Sequence, residues 1–169
     1  MTKINFNRPG ILVAIALAIL TTTTHAETLT GRVVGIADGD TLTLLDAAKT
    51  QHKIRLAGID SPEKGQAFGE HCKKSLSDLV YDRVVAVESS KFDRYGRQIG
   101  KVFVDSGDVN LEQILRGCGW HYKKYQNEQS LEDRLAYNAA EVSARAGRVG
   151  LWTDRAPVAP WEWRKTSRK

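Results

Sequence analysis

Residues 54–63 read Ile-Arg-Leu-Ala-Gly-Ile-Asp-Ser-Pro-Glu. The first half alternates, Ile54 and Leu56 on one face and Arg55 on the other, as the end of a half-buried strand does. The second half is a bend. Gly58 admits unusual backbone angles, Pro62 fixes its own φ and pushes Ser61 toward an extended conformation, and Asp60 and Glu63 flank the pair. Turn chemistry alone would account for these residues. A second acidic bend upstream, Asp38-Gly39-Asp40-Thr41, changes the reading. Two acidic clusters joined by one hairpin can converge and offer oxygen ligands to a hard divalent cation.

Outward from this stretch the chain breaks into short strand-like runs. Residues 29–36, 41–45 and 51–56 make a three-strand meander, with turns at 37–40 and 46–50. Residues 83–89 and 98–104 supply two more strands on either side of the polar turn Phe92-Asp93-Arg94-Tyr95-Gly96-Arg97. Helical spacing places Phe68, Cys72, Leu76, Leu79 and Val80 on one stripe. Asn110, with Gln113 three residues on, predicts the cap of a short helix whose apolar face is Leu111, Ile114, Leu115 and Cys118. Ser130 predicts the start of a long helix, with Leu131, Leu135, Ala139 and Val142 toward the core. The expected class is β-rich α+β, a five-stranded OB-type barrel with three helices. A flat α+β sheet stays open, because these patterns do not set strand order.

Residues 1–26 begin with Lys3 and Arg8, continue through an apolar run at 11–20 and end in small residues. That is the pattern of a secretory signal cut after Ala26, and the run is too short for an ordinary spanning helix. The 169 residues less these 26 leave 143 (27–169), which suits one domain with a short basic C-terminal extension at Lys165, Arg168 and Lys169. The formal charge of +5 falls to +3 without the two basic residues of the leader. A mild excess fits nucleic acid, anionic lipid or an acidic protein and does not choose among them. Cys72 and Cys118 fall on the inward stripes of two helices, where a bridge between helices would be built. Export permits a disulfide, and two buried free thiols are the other reading.

Asp40 at the entry of the second strand and Asp60 beyond the exit of the third belong at the same end of an antiparallel sheet. Two carboxylates and a backbone carbonyl leave a calcium shell open to water and a substrate phosphate. Arg55 and Arg97 can match the nonbridging oxygens of a phosphodiester, and Glu63 can take a proton from attacking water. Ordinary salt bridges, and for Glu63 a helix-start acid, are the simpler alternatives. His121 is read as a surface or stacking residue rather than a general acid. Lys123, Lys124 and Arg94 raise local potential for a polyanion, and neighbouring aromatics stack on bases without choosing a sequence.

Asp38-Gly39-Asp40-Thr41, Arg55 through Asp60-Ser61-Pro62-Glu63, and Asp93-Arg94-Tyr95-Gly96-Arg97 together resemble the three signature blocks of the staphylococcal (micrococcal, thermonuclease) nuclease family, over residues 28–152. The resemblance implies an OB-type barrel and an exported, calcium-dependent phosphodiesterase, periplasmic or secreted, that cuts DNA and RNA and leaves 3′-phosphate ends. It implies metal ligation by Asp40, Asp60 and the Ser61 carbonyl, catalysis by Arg55, Glu63 and Arg97, and substrate binding by Arg94, Tyr95, Tyr122 and Tyr125. The family usually has Thr at the position of Ser61. The loop after Glu63 is short, and Trp120-His121-Tyr122-Lys123-Lys124-Tyr125 stands where the staphylococcal enzyme has Tyr-x-Tyr. The cysteine pair looks like that of exported Gram-negative relatives, which implies a Cys72 to Cys118 disulfide. A monomer with no membrane attachment in its mature form is expected.

Overall fold

The computed structural model describes residues 27–166; the expected leader and residues 167–169 lie outside it. Strand β1, Glu27–Asp38, is long enough to serve two neighbours. Its first half pairs with β5, Val84–Phe92, and its second with β2, Thr41–Asp46. Register irregularities at Val33/Gly35 and Ile36/Asp38 let it coil between them. β2 continues to β3, Gln51–Leu56, and β5 to β6, Gln98–Val104, both antiparallel. The ring closes where β3 meets β6 in parallel, Arg55 opposite Ile99. Five strands therefore form a closed mixed barrel, and the flat sheet is ruled out. Two-residue strands add to it: β4, Ile59–Asp60, pairs with β8, Trp120–His121, and β7, Gly107–Asp108, extends the edge at β6.

The alternation seen in sequence fills the barrel with Val33, Leu42, Leu44, Ile54, Leu56, Val85, Val87 and Val102. Each large aliphatic side chain so buried contributes roughly 1.5–3 kcal/mol. Helix α1, Gly69–Val80, covers one end with Leu76 and Val80 on its buried stripe, as its spacing predicts.

Helix α2, Val109–Leu115, starts two residues earlier than expected. Its cap is Asp108, which accepts from the Leu111 amide at 3.0 Å. Asn110 is instead fully buried inside the helix, donating to the Ala57 and Gly100 carbonyls and accepting from the Val102 amide. A buried amide that meets three backbone groups is worth more inside than at the cap, where Asp108 already serves.

Helix α3, Leu131–Ala146, begins at Ser130 as expected, its hydroxyl accepting from the Asp133 amide. Its orientation is not the expected one. Leu131, Leu135 and Val142 are exposed, and the inward face is Tyr137, Ala140, Glu141 and Ala144. Glu141 is buried because it accepts from the His121 amide, Lys123 and Arg145, so an acid took a core position that periodicity assigned elsewhere. A fourth helix, α4, Pro160–Thr166, was not expected and takes in Lys165 of the basic extension. Among the described residues no helix is long and apolar enough to cross a membrane.

Cys72 and Cys118 are brought together as expected, but both are buried free thiols and the expected disulfide is not formed. Hydrogen bonding between them, then burial, pushes the Cys72 thiol up, while the same contact lowers Cys118. Packed so, the pair acts as two small apolar residues with a weak mutual hydrogen bond.

Candidate active site

The two acidic bends meet at one end of the barrel. Thr41 lies opposite Arg55 in the β2–β3 ladder, and the Leu56 amide donates to the Asp40 carbonyl at 2.8 Å. Asp60 is fixed by its β4 pairing with Trp120. These ladders put both carboxylates on one guanidinium: Arg55 Nη1 is 2.7 Å from Asp40 Oδ2, and its Nη2 is 2.7 Å from Asp60 Oδ1. Asp60 is 1% exposed. Asp40 also accepts from the Ser61 amide at 2.7 Å and from the Thr41 hydroxyl at 3.0 Å.

The bend around Asp40 is tightly built. Asp38 accepts from the Asp40 amide, so it shapes the turn. A Cβ on Gly39 would run into the Ser61 hydroxyl and come within 2.9 Å of Cys72 Cβ, which is why glycine is required there. From beneath, Gln113 of α2 donates to the Gly39 carbonyl at 2.6 Å, and the Ser61 hydroxyl donates to the Cys118 carbonyl. Helix α2 and Cys118 just after it thus hold both acidic bends from the core side, a role their sequence does not announce.

Burial pushes the Asp40 carboxyl well above the usual carboxylate range. Arg55 opposes this, while Asp38 and Asp60 add to it. Acids crowded until one resists ionising are relieved by a bound cation. The donor set is hard oxygen throughout, which suits calcium. Among the described residues no three His, Cys, Asp or Glu side chains close into a metal cage. Asp40 and Asp60 are the carboxylates that could contribute to an open site.

Arg97 stands beside the acids. Its Nε binds Asp93 at 2.7 Å and its Nη1 reaches the Thr41 hydroxyl at 3.4 Å, linking the β5–β6 turn to Asp40. Glu63 is half-buried on the rim. The residue that meets it was missed from sequence. Arg164 of α4 donates from Nη1 to Glu63 Oε1 at 2.5 Å and to Asp60 Oδ1 at 3.2 Å, and from Nη2 to Asp60 Oδ2 at 2.7 Å. Its partial burial works against the charge, but Asp60 and Glu63 outweigh this and raise its pKa. A faint signal was there: Pro160 suits a first helical position, and Trp161 and Arg164 share one face at three-residue spacing.

A groove of about 1380 Å³ opens from these residues and runs between two aromatic walls. On one, the Arg94 and Arg97 guanidiniums lie 4.8 and 5.6 Å from the Tyr95 ring centre. On the other, the ammonium groups of Lys91 and Lys124 lie 5.8 and 5.5 Å from Tyr125. Tyr122 is not free to offer both faces, because its ring stacks on Trp161 at 5.2 Å and 10°. His121 is 1% exposed, its Nε2 2.8 Å from Gln129 Oε1. It is neither a surface nor a stacking residue.

A barrel of this topology with its acids and arginines at one rim defines a known class. Residues 53–154 match the family described as Staphylococcal nuclease homologue, and the chain belongs to that family. Relatives include an uncharacterized endonuclease of Haemophilus influenzae, 43% identical over 82% of this chain and 75% of its own length. Protein ParB of Escherichia coli is 38% identical over 91% and 90%. A micrococcal nuclease of Shigella flexneri is 34% identical over 92% of each chain.

Proposed function

We propose that this protein is a calcium-dependent nuclease, a phosphodiesterase that hydrolyses DNA and RNA with little sequence specificity and leaves 3′-phosphate ends. It acts as a monomer, exported to the periplasm or the medium. The observation that carries this reading is the convergence of buried Asp40 and Asp60 on Arg55, with Glu63 and Arg97 beside them on a basic, aromatic groove.

Asp40 and Asp60, with the Ser61 carbonyl, would hold the ion, and bound calcium would supply positive charge at a phosphoryl oxygen. Glu63 takes the proton of the attacking water. Water adds to phosphorus as the bond to the 5′ oxygen breaks, and that oxygen takes a proton from solvent water, leaving a 3′-phosphate and a 5′-hydroxyl. Arg97 spends Nε on Asp93 and keeps outer donors for the nonbridging oxygens. Arg55 spends one nitrogen on each aspartate, so it orders the acids and meets phosphate with its remaining donors. Arg94, Tyr95 and Tyr125 bind flanking nucleotides by charge and stacking, neither of which distinguishes one base sequence from another.

Digestion of plasmid and RNA by purified protein, with calcium or with chelator, tests the reading. Cleavage of both substrates, abolished by chelator and giving 3′-phosphates on end labelling, is the expected result. Calcium-independent cleavage would remove the metal, 5′-phosphate ends would reverse the cleaved bond, and binding without cleavage would leave a nucleic-acid-binding module.

A further inference from the structure

Arg164 lies where its presence calls for explanation. Asp60 already has Arg55 on Oδ1, yet Arg164 spans both of its oxygens and takes Glu63 as well. A planar guanidinium suits such a bridge, because it presents several donors in a fixed fork. The guanidinium therefore draws the ligand Asp60 and the proton acceptor Glu63 together.

The helix that carries Arg164 is docked, not woven into the barrel. Trp161 stacks on Tyr122 and meets Trp120 edge-on at 5.5 Å. Just before α4, the Val158 carbonyl accepts from Gln66 at 2.7 Å. A cavity of about 60 Å³ remains under this segment, between Phe68, Leu151 and Trp163. An element held by rings, ion pairs and loose packing can part from the surface without unfolding the barrel.

We propose that Arg164 is a positioning residue of this site: it competes with the cation for Asp60 while it holds Glu63, so that cation binding and the undocking of α4 form one coupled equilibrium. The inference rests on the reading above that Asp60 helps hold a divalent cation. The electrostatics give the sign. Arg164 sets a full positive charge directly against Asp60 and Glu63. Displacing Arg164 leaves a stronger field for the incoming ion, and while bound Arg164 opposes it. Linkage makes the effect reciprocal: calcium favours the undocked helix by the same factor by which docking weakens calcium.

Calorimetric titration of calcium into substrate-free protein tests this on the wild-type chain and on Arg164→Ala, Arg164→Lys and Trp161→Ala. Arg164→Ala should bind calcium about tenfold more tightly, within the roughly 5- to 150-fold range of coupled sites. Arg164→Lys, a point charge unable to bridge as a fork, should fall between wild type and alanine. Trp161→Ala, which frees the helix but keeps the arginine, should also tighten binding. Calcium should change the tryptophan fluorescence of the wild type, and Arg164→Ala should lose that change. Equal or weaker calcium binding by Arg164→Ala, with the wild type binding normally, overturns the inference alone. No calcium binding by any of the four proteins overturns the metal reading and the inference with it.

Discussion

Asp40 and Asp60 are held by strand pairing, with α2 beneath the Asp40 bend, whereas Arg164 reaches Asp60 and Glu63 from a seven-residue helix docked by rings and ion pairs. On the barrel side, side chains around the acidic bends are tied to backbone carbonyls: Ser61 to Cys118, Gln113 to Gly39, Asn110 to Ala57. On the helix side the contacts are between side-chain tips at the groove. The first construction fixes where charges stand, and the second can change what stands against them. A hydrolytic site gains from both, since transition-state stabilisation needs preorganised dipoles while substrate and ion must still enter.

The largest effects should come from the barrel half. Glu63→Gln should lower turnover about 10²- to 10⁴-fold as a general base is lost. Arg97→Ala should lower it about 10²- to 10³-fold. Steady-state kinetics of the folded variants checks both, and near-normal kcat/KM in either would remove that residue from the chemistry. Next comes the rigidity itself. Gly39→Ala forces a methyl against Ser61 and Cys72, at a cost of about 1–3 kcal/mol for overpacking. A Tm equal to that of the wild type would mean the bend yields, and the contrast between a fixed and a docked half would weaken.

The two tyrosines divide along the same line. Tyr125 faces the groove and is 43% exposed, so Tyr125→Ala should raise the apparent KM by a stacking contribution of about 1 kcal/mol, with kcat nearly unchanged. Tyr122 already stacks on Trp161, so Tyr122→Ala should change KM less and loosen α4 instead. Equal KM increases for both would place Tyr122 on the substrate as well.

Legibility in the sequence follows the same division. The strands, the acidic bends and the polar turn at 92–97 could be read because their residues interact with near neighbours, at period two or inside one turn. Closure of β3 on β6 could not be read, since a parallel pairing leaves no local mark. The buried face of α3 was misread because Glu141 is satisfied by His121, Lys123 and Arg145, partners that only the fold supplies. Arg164 stayed hidden for a related reason: its partners lie about a hundred residues away, and a lone arginine near a basic terminus looks like a solvated end.

The smallest predicted effect tests how far local locking extends on the barrel side. Asp93 accepts from the Tyr95 and Arg97 amides and from Arg97 Nε, so it shapes the β5–β6 turn and aims Arg97. Partial burial works to raise its carboxyl, but the donors of Arg97 and Tyr95 outweigh this and hold it below its ordinary value. A carboxyl depressed in the folded state stabilises above its unfolded pKa, about 3.9, and loses that contribution as pH falls through the folded value. Wild type should therefore exceed Asp93→Asn in stability at pH 7 by up to about 1 kcal/mol, on the scale of a charged hydrogen bond at a partly open site. The difference should shrink when unfolding is measured near pH 3. A gap that persists unchanged at that pH would mean the turn is held by its backbone shape rather than by the carboxylate, and Arg97 would then owe its direction to Thr41.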